Sequence, residues 1–425
     1  MDARTAAYKI LLKIEAQQAY SNITIDNELS DLNLDSREKS LTVFLVYGVL
    51  ERKLTLDYAI SKLLKNGLKG IKPKVKIILR LGAFQILYAE KIPHSAAVNE
   101  SVKLAKREAP YASGMVNAVL RNLVRNGFDM PSEENKSEYF SVKYSCPQWI
   151  VDMWLEYLGE NETKSVLENS LLPPPTYLRV NTLKITVDKL FDIFISKGYN
   201  AEINPNVENC ITLYSAPDIT HTDEYNKGLF HIQDIASQIC VNKLNAKSGD
   251  TVFDVCCAPG GKSFTISQYM NNEGCIKAFD LYTARLELVN NGAKRLGIDI
   301  IETGVADASK YCKVFGLADK VLCDAPCSGL GIIRRKPEIK YKKKEDIDGI
   351  ENIQLSIINN ASKYVKKGGT LVYSTCTLNP KENEEVCNKF LSENKDFILK
   401  CSERLTPKKI NSDGFFIAVF TKGEA

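Results

Sequence analysis

Thr251-Val-Phe-Asp-Val255 runs into Cys256-Cys257-Ala258-Pro259-Gly260-Gly261-Lys262-Ser263, and Phe264-Thr-Ile-Ser-Gln-Tyr269 follows. A β-rich run, a turn of small residues and a helical stretch, in that order, read as the first strand of an open α/β sheet and the helix it feeds. The carboxyl end of such a strand is where a nucleotide-like ligand meets a helix N-terminus, and small residues there let backbone amides come close to it. Spacing tests two rival readings. The dinucleotide fingerprint G-x-G-x-x-G is absent, and a Walker loop would need its first glycine at Cys256. Only the Gly261-Lys262-Ser263 end fits that second pattern, which disfavours a nucleoside triphosphatase.

Outward from this turn, short β-rich runs at 276–279, 320–323 and 370–373 are each followed by a turn and mostly by a helical stretch. The alternation predicts a parallel sheet covered by helices on both faces, a doubly wound, Rossmann-like α/β domain. Asp280 ends the second strand, 18 residues past Lys262, where an acid in this architecture accepts hydrogen bonds from a ribose diol. Asp307 sits at the next expected strand end, in position to bind an adenine amino group. Taken singly, each acid reads as a cap of the following helix. Ligand-type positions in this order point instead to an adenosyl cofactor held by the turn 256–262, Asp280 and Asp307.

Asp324 and Cys327 fall just past the strand at 320–323, and Cys376 just past that at 370–373, so both thiols belong to the cofactor edge of the sheet. Cys323, inside its strand, reads as a small buried hydrophobe. Cys327, between Pro326 and Ser328-Gly329, and Cys376, between Thr375 and Thr377, lie in polar turns, where ligands of such sheets bind.

The rest of the chain reads differently. From 3 to about 126 apolar residues recur at helical spacing, as in Ala7, Ile10, Leu11 and Ile14, with breaks at Asn66-Gly67, Lys69-Gly70 and Pro93. Gly127, Pro131 and the polar run 132–137 read as a linker. Beyond it come two helices (149–158 and 162–171), three prolines, a strand at 177–180, a helix at 187–197 and short strands near 201–203 and 211–213. Three domains are expected: all-α over 1–135, small α+β over 136–228 and α/β over 229–425. The formal charge of +4 is uneven, with 20 Lys/Arg against 12 Asp/Glu up to Phe128. A basic module on a nearly neutral body suits nucleic acid.

Composition excludes several classes. No apolar run reaches the roughly 18–20 residues of a membrane span, the best candidate at 81–89 being broken by Gly82 and Gln85. The opening Met1-Asp2-Ala3-Arg4 lacks the pattern of an export signal, so a cytoplasmic protein is expected. The 12 cysteines are irregularly spaced, without a C-x-x-C pair, and only three histidines are present, so reduced thiols and no metal site are expected. His94, His221 and His231 read as structural.

Three blocks, Cys257-Ala-Pro-Gly-Gly-Lys262, Asp324-Ala-Pro-Cys-Ser-Gly329 and Ser374-Thr-Cys-Thr377, resemble the signatures of RNA (cytosine-5)-methyltransferases that use S-adenosylmethionine. Gln233-Asp-Ile-Ala-Ser237 and Asp413-Gly-Phe-Phe-Ile-Ala418 match the same family, so the likeness spans 230–420. The first third, with Arg80-Leu-Gly-Ala-Phe-Gln-Ile-Leu-Tyr88 and Val116-Asn-Ala-Val-Leu-Arg-Asn-Leu123, is similar to the NusB-like RNA-binding domain of a bacterial 16S rRNA member of that family. One departure is the Cys256-Cys257 pair, a small-for-small change where the family more often has cysteine followed by alanine.

The resemblance implies a mechanism. Carbon 5 of cytosine is too weak a nucleophile to take a methyl group unaided, so a covalent step is needed. Cys376 is implied as the thiolate that adds to carbon 6, Asp324 as the group that holds the ring, and Cys327 as the residue that assists release. The base that removes the carbon 5 proton stays open between Cys327 and water. The implied partner is single-stranded or loop 16S rRNA, because the target base must be unstacked, and a monomer is expected. The basic stretch 334–344, with Tyr341 interleaved, is expected to touch phosphate. An amino-group methyltransferase would need no cysteine, and Ala325-Pro326-Cys327 argues against it. A catalytically idle assembly factor is excluded only by a covalent RNA adduct.

Overall fold

The computed structural model describes residues 2–17, 24–25, 27–29, 32, 34–214 and 219–424. The chain divides into two compact units, Met1–Leu172 with Ile333–Lys343, and Pro173–Ile332 with Lys344–Ala425. Among the described residues no helix is long and apolar enough to cross a membrane, and no cluster of His, Cys, Asp or Glu could hold a metal ion.

The first unit is helical. Asp35 caps the helix Ser36–Lys62 by accepting the Glu38 N–H, and Pro73 opens the helix Pro73–Tyr88, where its missing N–H costs nothing. These two helices cross closely, since a Cβ on Gly48 would lie 1.9 Å from the Phe84 ring. Arg80 is buried in the same packing, its guanidinium charge met by Asp57 at 2.7 and 2.8 Å and by Glu15 at 2.9 Å. Three further helices, Lys136–Lys143, Gln148–Leu158 and Glu160–Asn169, carry the unit past the polar run 132–137 and past the expected division at 135/136. Side-chain to backbone bonds hold them there: Thr55 Oγ1 donates to the Val142 carbonyl (2.5 Å), and Ser145 Oγ accepts the Leu54 N–H (2.9 Å).

The basic stretch 334–344 corrects an expectation. Its centre lies in the helical unit, where Lys340 is fully buried, its ammonium donating to the Glu51 carbonyl at 3.0 Å. Tyr341 donates to the Leu50 carbonyl at 2.7 Å. These two residues are packing and hydrogen-bonding elements and are not phosphate contacts, while Lys343 and Lys344 stay exposed.

The second unit carries two sheets. Strands β1 (Thr176–Val180), β2 (Asn200–Ile203), β3 (Cys210–Tyr214) and β4 (Phe230–Ile232) pair antiparallel in the order β2-β3-β1-β4. The helix Val187–Ser196 packs Leu190 and Phe194 against Leu178, Val180 and Ile211, so the small α+β element forms as expected. Buried Arg179 of β1 ties it to the helix Gly261–Tyr269 by donating to Gln268 Oε1 at 2.9 Å.

That larger sheet contains β5 (Thr251–Asp254), β6 (Cys275–Asp280), β7 (Ile301–Val305), β8 (Ala318–Asp324), β9 (Val365–Thr375), β10 (Phe397–Leu405) and β11 (Phe415–Lys422). Its order is β10-β11-β9-β8-β5-β6-β7. Strands β5 to β9 are parallel, as expected, but β10 and β11 run antiparallel at one edge, which makes the sheet mixed. Alternation assigns the faces. Phe253, Val321, Leu371 and Tyr373 meet the helices Ile350–Ala361 and Glu384–Glu393, while Val252, Leu322 and Val372 meet Ile235–Leu244 and Gly261–Tyr269. Strand order reverses between β5 and β8, which opens a crevice at their carboxyl ends.

Candidate active site

The turn after β5 is shaped by its backbone. The Cys257 N–H donates to the Phe279 carbonyl and the Gly260 N–H to the Cys257 carbonyl, each at 2.8 Å. Gly260 adopts φ 106°, and a Cβ there would come 2.5 Å from the Phe264 ring, so both conformation and space demand glycine. The helix Gly261–Tyr269 begins without a side-chain cap, which leaves its first amides without a side-chain acceptor. Burial pushes the Cys256 and Cys257 thiols up, which keeps both protonated and inert. Ala258 and Pro259 complete the turn, and the Ala258 carbonyl accepts from Arg285 at 3.0 Å.

Arg285 also pairs with Asp280, at 3.1 Å to Oδ2, and so links the end of β6 to the turn. Asp280 is buried and takes the Tyr282 N–H at 3.2 Å. Asp307, just past β7, accepts the Ser309 hydroxyl (2.6 Å) and N–H (3.0 Å) and pairs with Lys310 (3.1 Å). The Ser309 hydroxyl, followed by Lys310, holds this carboxyl below the usual range. Asp280 and Asp307 thus stand at the ends of adjacent parallel strands, beside an uncapped helix start. That donor and acceptor set fits the ribose, adenine and carboxylate of an adenosyl amino acid.

Lys262 turns its ammonium to Asp324 Oδ2 (2.7 Å), and Asp324 Oδ1 accepts the Ser374 hydroxyl at 2.7 Å. Burial works against the charge on Lys262, but the Asp324 carboxylate outweighs it and raises the ammonium above its ordinary value. Asp254, at the end of β5, played no part in the sequence reasoning. Burial pushes its carboxyl up to about 7 against the opposing Ser263 hydroxyl (2.7 Å), and its Oδ1 has no partner. An acid inside an apolar strand run was the available signal.

The two thiols meet. Cys327 Sγ and Cys376 Sγ lie 2.9 Å apart. The hydrogen bond with Cys376, and then burial, raise Cys327 well above an ordinary thiol, and either sulfur can be the donor of the pair. Their turns are stitched by the Gly331 N–H donating to the Cys376 carbonyl (3.0 Å) and by Ser328 Oγ against Thr377 Oγ1 (2.8 Å). Gly414 crosses so closely that a Cβ on Gly331 would sit 1.9 Å from its carbonyl oxygen. Buried Glu382 and Gln354 support the Cys327 turn and were also missed, because 381–385 reads as the charged start of a helix.

Comparisons with known proteins agree with this geometry. Residues 241–421 match the family model for 16S rRNA methyltransferase RsmB/F, 1–125 the NusB family, and 146–220 a ferredoxin-like domain of RsmF/B-like methyltransferases. The chain is 36% identical to the probable ribosomal RNA small subunit methyltransferase B of Bacillus subtilis, over 99% of this chain and 98% of that one. The chain belongs to the RsmB/F family of 16S rRNA methyltransferases. A methyltransferase homolog from Pyrococcus horikoshii is 30% identical, with TM-score 0.61, over 68% of this chain and 99% of that one. The crystal structure of PH0851 shares the fold over 99% of this chain and 98% of its own, with TM-score 0.82 at 24% identity. The cofactor of this family is S-adenosylmethionine, and the turn 256–262 with Asp280 and Asp307 is the set that fits it.

Proposed function

We propose that the protein methylates carbon 5 of a cytosine in 16S rRNA through a covalent bond between Cys376 and carbon 6. The observation that carries this reading is the pair of sulfurs 2.9 Å apart, two and three residues beyond the Lys262–Asp324–Ser374 cluster. An amino-group methyltransferase has no use for such a pair. Cys376 loses its proton to solvent and adds to carbon 6 as a thiolate, while Asp324 holds the ring at N3 and the exocyclic amine. The electron pair released into the ring makes carbon 5 nucleophilic. Bound S-adenosylmethionine supplies the electrophilic methyl on a sulfonium. In release the carbon 5 proton goes to water, its electron pair closes the 5,6 double bond, and the carbon–sulfur pair returns to Cys376. Cys327, a thiol donating to that sulfur, protonates it as it leaves and is reprotonated from solvent.

Residues 1–135, with the helices up to 172 that belong to the same unit, act in this reading as the basic module that supplies rRNA affinity, with 173–228 as the link to the catalytic domain 229–425. The target cytosine lies in a loop or single strand, where unstacking costs least, and one copy of the chain suffices. The test is nucleoside mass spectrometry of 16S rRNA treated with the purified protein and S-adenosylmethionine, beside denaturing gels of protein and RNA. Wild type yields 5-methylcytidine. Cys376→Ala yields neither product nor adduct, Cys327→Ala accumulates an adduct, and the double variant forms none. An adduct in Cys376→Ala but not in Cys327→Ala exchanges the two roles. Methylation surviving both changes with no adduct rejects covalent catalysis.

A further inference from the structure

We propose that Glu382 is a positioning residue for Cys327: its buried carboxylate clamps the Cys327 turn and, by its charge, keeps Cys327 a proton donor during release of the methylated base. This rests on the covalent reading above. The side chain is fully buried. Its Oε2 accepts the Ser328 N–H at 2.8 Å and Gln354 Nε2 at 3.0 Å, and Oε1 accepts Asn379 Nδ2 at 2.9 Å. The same Gln354 nitrogen donates to the Pro326 carbonyl at 2.9 Å. The Pro326 carbonyl belongs to the peptide before Cys327 and the Ser328 N–H to the peptide after it. Both peptide planes flanking the thiol are therefore pinned by one Glu382–Gln354 unit, which fixes where the sulfur points. Glu382 is itself anchored, because its carbonyl accepts the hydroxyl of buried Tyr373 at 2.7 Å.

Packing alone does not call for an acid here. No lysine or arginine among the described residues pairs with Glu382, and its three donors are all neutral N–H groups. A buried carboxylate without a cation is costly, and a glutamine would fill nearly the same volume. What the charge adds is electrostatic. It favours the protonated form of Cys327, whose sulfur lies 2.9 Å from that of Cys376.

Two variants separate clamp from charge. Glu382→Gln removes the charge and part of the clamp; Gln354→Ala removes part of the clamp and leaves the charge. After a single turnover, adduct release is followed against pH by quenching into denaturant, with circular dichroism confirming the fold. Glu382→Gln should slow release about tenfold, a part of the roughly hundredfold or more that a general acid contributes, and move the alkaline fall of release to lower pH, because Cys327 then surrenders its proton sooner. Gln354→Ala should slow release with the alkaline limb unmoved. If Cys327→Ala accumulates adduct while both variants release it like wild type, the role of Glu382 is overturned and the covalent reading stands. An unshifted limb in Glu382→Gln overturns the electrostatic part, and should that variant not fold, wild-type release in Gln354→Ala overturns the clamp. If Cys327→Ala forms no adduct while wild type methylates, the covalent reading fails and this proposal falls with it.

Discussion

Lys262 in the sheet unit and Lys340 in the helical unit are both buried lysines, and their surroundings treat them in opposite ways. Lys262 faces a carboxylate, Asp324, at 2.7 Å and is raised above its ordinary value. Lys340 finds a backbone carbonyl at 3.0 Å, and burial pulls it down to about 8. A carbonyl dipole satisfies one donor but does not repay the lost hydration of a charge, whereas a carboxylate in contact does. The difference teaches which cation is kept for its charge. Lys262 spends desolvation to hold the Asp324 side chain in one place, while Lys340 serves as a long hydrogen-bonding filler.

Three substitutions break or sharpen that contrast. The largest effect is expected from Lys262→Met, which leaves Asp324 with the Ser374 hydroxyl alone. Methylation should fall by about a hundredfold or more, the scale seen when one preorganised electrostatic partner is removed, with the fold intact by circular dichroism. Near wild-type turnover would show that the buried charge is dispensable.

Asp254 extends the contrast to a buried acid whose hydrogen bond from the Ser263 hydroxyl does not offset its burial. Its folded value of about 7 stands above the ordinary value near 4, so its contribution to stability is present below about pH 4 and is lost as pH rises through 7. Asp254→Asn keeps an acceptor for Ser263 and removes the titration. The variant should match wild type near pH 4 and gain on the order of 1–2 kcal/mol at pH 8, by hydrogen exchange of the sheet unit. An equal difference at both pH values would contradict the burial argument.

The smallest effect belongs to Lys340→Met. It exchanges one hydrogen bond for relief of desolvation, and the net change should stay within about 1 kcal/mol. An unfolded lysine keeps its proton to about pH 10.4, and the folded one releases it near 8. Wild-type stability relative to the variant should therefore rise between those values. Both tryptophans, Trp149 and Trp154, lie in the helix Gln148–Leu158, so denaturation followed by their fluorescence reports on the helical unit alone. A relative stability that falls over that interval would show that Lys340 is held charged.

Much of the site was legible because local chemistry demands it. The turn 256–262 needs glycine for its backbone, and the β-rich runs place Asp280, Asp324 and Cys376 at strand ends by the period of the chain alone. The antiparallel edge formed by β10 and β11 was not legible, because a strand's own residues do not state the direction of its neighbour. The lysine-rich stretch 334–344 read as a phosphate contact for a similar reason, since composition does not say which lysine meets a carbonyl deep in a helical unit.

Sequence alone determined the elements, the glycine turn and the residue types able to carry methyl transfer, because periodicity, backbone permissiveness and intrinsic reactivity belong to each residue or its immediate neighbours. Tertiary structure decided which of those residues meet. Cys327 and Cys376 are brought to 2.9 Å across neighbouring parallel strands, and Glu382 and Gln354 reach the Cys327 turn from other elements. A thiol's protonation, like that of Lys262 or Lys340, depends on the charges and dipoles a few ångströms away, and those neighbours are supplied by the fold and not by the chain order.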